Sequence, residues 1–192
     1  MPDALTTIQS IEVKGQVLKV IGHASILGKK MTGLLCSQNC PGELILKGFD
    51  AVKEIRENQL TVISGFHSPI EKEAFRILQR GTQPIVLCLA RNIDTYQIPK
   101  PFKPIIADGR MIIIAPIFSK SENRITKETA EIRNRLIFQL SDQVLLIHAR
   151  PGGNLERTCV KYLPEHNGIY AIPSEKNSHL FDQGVLEWPT SL

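Results

Sequence analysis

The stretch from Leu60 to Glu71 constrains the fold more than any other part of the chain. Leu60 to Ile63 is a short apolar run that stops at Ser64-Gly65, and a helix start follows within a few residues. An unbroken apolar run of this length fits a strand buried on both faces, as in parallel sheets covered by helices. Ser68 can accept a hydrogen bond from the backbone N–H of Glu71 while Glu71 reaches back to Ser68, and Pro69 takes the first helical position. Ile70, Ala74, Ile77 and Leu78 then recur at helical spacing, and Gly81 ends the helix. Capping accounts fully for Glu71 and takes precedence over a catalytic role. His67 has no such structural duty and sits on the loop, where a side chain can face a ligand.

The same unit recurs along the chain. Met31 to Cys36 is an apolar run, a loop from Ser37 to Gly42 follows, and Ile45, Phe49, Val52 and Ile55 mark the inner face of a helix. Pro84 to Leu89 and Met111 to Ala115 are further strands, joined by an irregular connection containing Pro99, Pro101 and Pro104 and ending near Gly109. The polar loop Ser119 to Arg124 follows. Thr126 caps a helix reaching Leu140, Gln143 to Ile147 is a fifth strand, and Ile169 to Ile172 is a last one, with a short helix expected between Ser178 and Trp188. Strand and helix alternating in this way, without hairpin signals, predict an α/β, Rossmann-like, mostly parallel sheet flanked by helices on both faces. Residues 1–30, with short strand candidates at Ile11 to Val13 and Val17 to Ile21, read as an N-terminal strand and turn packed on a main domain of residues 31–192.

In such a sheet the strand ends share one edge and their loops converge. The edge gathers Ser37, Gln38, Ser64, Gly65, Phe66, His67, Ser68, Arg91, Asn92, Arg150 and the pair Gly152-Gly153, which opens a helix and offers a backbone N–H cradle for phosphate. In the helix after Thr126, the buried stripe centres on Leu136 and takes in Thr129, Ile132 and Leu140. Arg133 lies at its border, with Arg135 and Asn134 further round and Phe138 opposite, as a lone exposed apolar residue. A guanidinium at the border of a core needs an anionic or carbonyl partner. Arg133 is therefore either a ligand-reading charge or half of an internal salt bridge.

The edge is cationic and lacks a carboxylate cluster, which favours holding an anion over paired-carboxylate catalysis or divalent-metal chemistry, and no cofactor or metal is expected. The net charge of +4 is too small to argue for such a ligand alone. With Lys72 nearby and Phe66 or Tyr96 available for base stacking, the grouping suits a single-stranded nucleic acid. Four cysteines lie in or beside apolar runs, and Cys36 and Cys40 miss zinc-ligand spacing. Neither a signal peptide nor an uninterrupted apolar stretch is apparent, so the expected location is the cytoplasm, away from membranes.

Arg133-Asn134-Arg135, followed by Leu136 to Ser141 and the strand Gln143 to Ile147, resembles the RNR segment of the DNA-processing protein A (DprA/Smf) family. That family shares its Rossmann-like domain with the LOG phosphoribohydrolases. Ser64-Gly65 is similar to its serine-glycine turn, Leu35-Cys36-Ser37 stands at its first turn, and Ala171-Ile172-Pro173 resembles its closing strand. The resemblance implies binding of single-stranded DNA in a basic pocket during uptake, recombination or repair, with a recombinase and a second copy of the chain as partners. The chain departs from the family at Phe66-His67-Ser68-Pro69, at Gln38 in place of an arginine, and at His148. Two other readings stay open: a sensor of a nucleotide-derived signal, and a LOG-like nucleoside monophosphate hydrolase. The latter resembles the chain at Pro151-Gly152-Gly153, but Cys159 stands where its catalytic glutamate would be. Binding therefore takes precedence over catalysis.

Overall fold

The structure is a computed structural model and describes residues 7–119, 121–166 and 168–189. The chain begins with β1 (Gln9–Val13) and β2 (Gln16–Gly22), then a short 3-10 turn (Ala24–Gly28). Strand β3 (Met31–Cys36), helix α1 (Gly42–Glu57), β4 (Thr61–Ser64), α2 (Pro69–Gln79) and β5 (Ile85–Cys88) follow. Next come α3 (Phe102–Ala107), β6 (Met111–Pro116), α4 (Lys127–Leu140), β7 (Gln143–His148), α5 (Asn154–Tyr162), β8 (Ile169–Ala171), α6 (Ser178–Phe181) and β9 (Leu186–Glu187).

These strands form one sheet in the order β1-β2-β6-β5-β4-β3-β7-β8-β9. All neighbours from β6 to β9 run parallel. Successive residues of a central strand feed opposite cores, which is why these strands read as unbroken apolar runs. On β3, Leu34 packs with Leu44, Val52 and Leu78 under α1 and α2, whereas Leu35 packs with Leu136, Phe138 and Leu155 under α4 and α5. The α/β architecture predicted from the repeating units is the one found.

Chain order fixes where a ligand can sit. From β3 the chain builds outward through β4, β5 and β6, then returns across the sheet to place β7 on the other side of β3. The loops after β3 and β7 therefore leave for opposite faces, and a crevice opens between them.

Four local expectations need correction. A hairpin does exist: β1 and β2 pair antiparallel through Lys14 (φ 48°) and Gly15 (φ 73°), and β2 pairs antiparallel with β6. Two successive positive φ values give the tight turn whose twist suits a hairpin, but Lys-Gly lacks the asparagine or aspartate that usually announces it. The proline-containing connection holds a helical turn, α3. The carboxyl-terminal stretch is only briefly helical and ends as β9, with Trp188 buried edge-to-face on Tyr170 at 5.6 Å. On α4, Phe138 is fully buried and stacked on Tyr162 at 5.3 Å, whereas Ile132 is 38% exposed. A stripe drawn for a helix covered on one side fails here because α5 covers a second side.

Candidate functional site

Two cavities open at the carboxyl edge of the sheet. One of about 280 Å³ lies in the crevice between the β3 and β7 loops. It is lined by Ser37, Gln38, Asn39, Glu71, Arg150 and Gly153 to Leu155, with His67, Ser68, Arg133 and Asn134. The other, about 510 Å³, lies beyond β4 and β5 and is lined by Gly65, Phe66, Phe75, Arg91, Tyr96 and Phe102 among others. His67 and Arg133 line both.

Arg133 reaches this position because α4 starts firmly. Thr126 accepts from the Thr129 N–H at 3.2 Å, and the Thr129 hydroxyl oxygen accepts from the Thr126 N–H at 2.9 Å. Two turns later the Arg133 side chain, 5% exposed, lies across the β4 turn. A Cβ on residue 65 would stand 2.5 Å from its Cζ and 2.7 Å from its Cδ, so only glycine admits the guanidinium. Nε and Nη2 of Arg133 donate to the Asn134 side-chain oxygen at 3.1 and 2.9 Å. Among the described residues it has no carboxylate within 4 Å. The remaining N–H groups of its five-donor fork have no protein acceptor there. The internal salt bridge is thus not what this arginine makes.

The wall between the cavities is stiff. The Ser64 hydroxyl accepts from the Phe66 N–H at 3.1 Å and supports Phe66 at φ 45°. Ser68 and Glu71 form the expected reciprocal cap of α2. Glu71, 2% exposed, does more: one carboxylate oxygen accepts from the His67 N–H (2.8 Å) and the Ser68 N–H (3.3 Å), and the other from the Cys36 N–H (2.9 Å). It ties the β4 turn to the end of β3. Ser64 and Ser68 thereby build the wall. Phe66, expected as a free stacking platform, is buried with its ring 4.6 Å from that of Phe75 and forms part of a cavity floor.

The glycine pair after β7 is not an open cradle. The Gly152 N–H donates to Glu156 at 2.5 Å, the Gly153 N–H to the Arg150 carbonyl at 2.9 Å, and the Arg150 N–H to Ser37 Oγ at 2.9 Å. The chain's own carboxylate fills the place expected for phosphate. What faces the crevice instead is the start of α5, which has no side-chain cap and whose Asn154 and Leu155 line the cavity. The partial positive charge of a helix start favours an anion there.

The other expected residues divide. Arg150 is exposed at the crevice rim, and Lys72 and Arg91 line the larger cavity. Arg135 is not brought to either cavity: it pairs with Glu131 and lies beside the start of β2 and the end of β6. Asn92 is buried and spent on the Asp94 N–H and the Ser119 carbonyl. His148, below its ordinary range mainly through burial, meets the Asn177 side-chain oxygen at 2.9 Å. Asn177 uses its amide N–H groups on the Ile147 and Ile172 carbonyls, so its oxygen must accept and His148 Nδ1 carries the proton. That network is structural. Cys36 lines the crevice; the neighbouring Cys40 side chain and burial push its thiol up, and Cys36 in turn draws Cys40 down against its own burial. Phe75 and Phe102 escaped the sequence reading. They come from separate elements, and no local pattern announces that they meet.

His67 carries an electrostatic signature of the site. Burial holds its imidazole below the usual 6.5, the Arg133 charge pushes the same way, Glu71 opposes and Lys72 adds to the lowering. The unfolded chain then takes up a proton near pH 6.5 that the folded chain refuses, so this group's contribution to stability falls as pH drops below 6.5. An anion seated on Arg133 offsets its charge, so the His67 midpoint is expected to rise on binding and affinity to strengthen as pH falls through that window. Imidazole proton shifts followed by NMR, with and without inorganic phosphate, check this. A midpoint at or above 6.5 in the free protein contradicts it.

A scan against protein families matches residues 2–184 to the family described as DNA recombination-mediator protein A. Among solved structures, the chain is similar to DNA processing protein A from Streptococcus pneumoniae, with a TM-score of 0.76 and 18% identity, covering 98% of this chain and 73% of that one. It is also similar to DNA processing protein A from Helicobacter pylori, a structure described for its single-stranded DNA binding mode (TM-score 0.71, 14% identity, 96% and 91% covered). The molybdenum cofactor binding protein from Rippkaea orientalis shares the fold more distantly, at TM-score 0.56 and 10% identity, covering 84% and 90%. No curated protein matches the sequence. With residues 2–184 matched by the family's model, nearly the whole length, the chain belongs to the DNA recombination-mediator protein A family.

Proposed function

We propose that this protein binds single-stranded DNA, holding backbone phosphates in the crevice between the β3 and β7 loops. The observation that carries this is Arg133, a buried guanidinium with a neutral asparagine oxygen as its partner and several donors unused beside two cavities. Burying such a charge without an acid is costly, and a ligand anion is the natural compensation. The uncapped start of α5 and the exposed Arg150 add positive potential to the same crevice. Among the described residues, the one acid lining it, Glu71, is committed to three backbone N–H groups. Family membership supports a role in DNA uptake, recombination or repair, in the cytoplasm, with the strand passed to a recombinase and the chain acting as a dimer.

Hydrolysis of a nucleoside monophosphate is less well supported. Cys159, which stands at the LOG glutamate position, is fully buried, and burial pushes its thiol up to about 12. The test of binding is fluorescence anisotropy with a labelled oligothymidylate from low to high salt. The logarithm of the binding constant is expected to fall linearly with that of salt, with a slope of about −0.7 per phosphate neutralised. No binding at low salt refutes the proposal.

A further inference from the structure

The larger cavity differs in chemistry from the crevice, and phosphate binding does not explain it. Its floor is aromatic: Phe66 packs on Phe75, and Phe75 meets Phe102 edge-on at 5.3 Å, with the half-buried Tyr96 beside them. No aspartate or glutamate is among the described residues lining it, whereas Arg91 and Arg133 are. Among the described residues Arg91 is poorly satisfied: its buried Nε has no partner, and Nη2 makes only a long 3.4 Å contact to Thr95. At about 510 Å³ the cavity lies within the range of small-ligand sites, roughly 300–1,000 Å³. A cavity for a bare polyanion needs no ring floor, and one for an aliphatic chain needs no unpaired guanidinium.

We infer that this cavity takes one nucleotide unit, its base against the aromatic floor and its phosphate at Arg133, where the two cavities meet. The inference rests on the proposed binding of a strand when that unit belongs to a polymer, and is independent of it when the unit is a free mononucleotide. Flat π faces attract any base, and the planar guanidinium of Arg91, which lines the cavity, can stack on it.

The test compares three probes: an oligothymidylate, an abasic deoxyribose-phosphate oligomer of the same length, and thymidine monophosphate. Stacking of a base on protein rings predicts that the oligothymidylate binds about tenfold more tightly than the abasic oligomer. In Tyr96→Ala that ratio is expected to shrink to about threefold or less. Arg91→Met should reduce the ratio as well and, as a second and independent change in the lining, guards against a folding defect in the first variant. Binding of thymidine monophosphate with neither oligomer bound supports the cavity as a nucleotide site and ends the strand proposal. Equal binding of both oligomers, with the monophosphate unbound, overturns the inference and leaves the strand proposal standing. A protein that binds none of the three refutes both.

Discussion

Arg133→Met is expected to weaken oligonucleotide binding while leaving the protein as stable as before, or more so. The first effect follows from the loss of a buried, charge-assisted contact to phosphate, worth about 2–3 kcal/mol, or roughly 30- to 150-fold in affinity. The second follows from burial. The guanidinium is 5% exposed and meets only a neutral oxygen, so an apolar side chain of similar reach removes an uncompensated charge from the interior. The opposed signs separate a ligand-reading arginine from a structural one, because a residue kept for the fold loses stability when removed. Anisotropy on the oligonucleotide and thermal unfolding of the free protein measure the two effects. A marked fall in stability with unchanged affinity sinks the assignment. Arg133→Lys keeps the charge but not the planar fork, and should recover only part of the affinity.

The glycine at position 65 belongs to the same device. A methyl group there collides with the guanidinium, so the turn after β4 and the arginine of α4 fit only as a pair. The sequence shows the two halves 68 residues apart, each marked by its own motif, but not their meeting. Much else divides in the same way between local and distant information. Strand and helix alternation was readable because burial on two faces, or on one, writes itself into each short segment. The α2 cap was readable because its partners are three residues apart. The bond from Glu71 to Cys36 was not, since it links the start of α2 to the end of β3 across 35 residues. Gly152 announced a phosphate cradle by type and position, yet Glu156, one turn on, fills it. Arg133 and Arg135 carry the same charge two residues apart, and tertiary packing sends one into the site and the other to Glu131. Of the aromatic floor, Phe66 and Tyr96 were legible as stacking candidates, whereas Phe75 and Phe102 were not, because they come from α2 and the short helix α3.

Glu71→Ala is expected to destabilise the protein by about 3–5 kcal/mol, because it strips acceptors from three backbone N–H groups at once and each buried unsatisfied donor costs about 1–3 kcal/mol. The full sum is not reached, since the carboxylate borders the crevice and water can replace part of what is lost. For a chain of this length, the unfolding midpoint should drop by roughly 6–20 °C, read by calorimetry. Glu71→Gln tests the geometry more finely. An amide has one acceptor oxygen where the carboxylate has two, so it can serve either the Cys36 N–H or the His67 and Ser68 pair, and its NH₂ group faces donors on the other side. The glutamine variant should therefore fall between wild type and alanine. Were Glu71→Ala to cost under about 1 kcal/mol, the carboxylate would not be holding the β4 turn against β3. A chemical role for it in the crevice, set aside because capping explains it, would then have to be reopened.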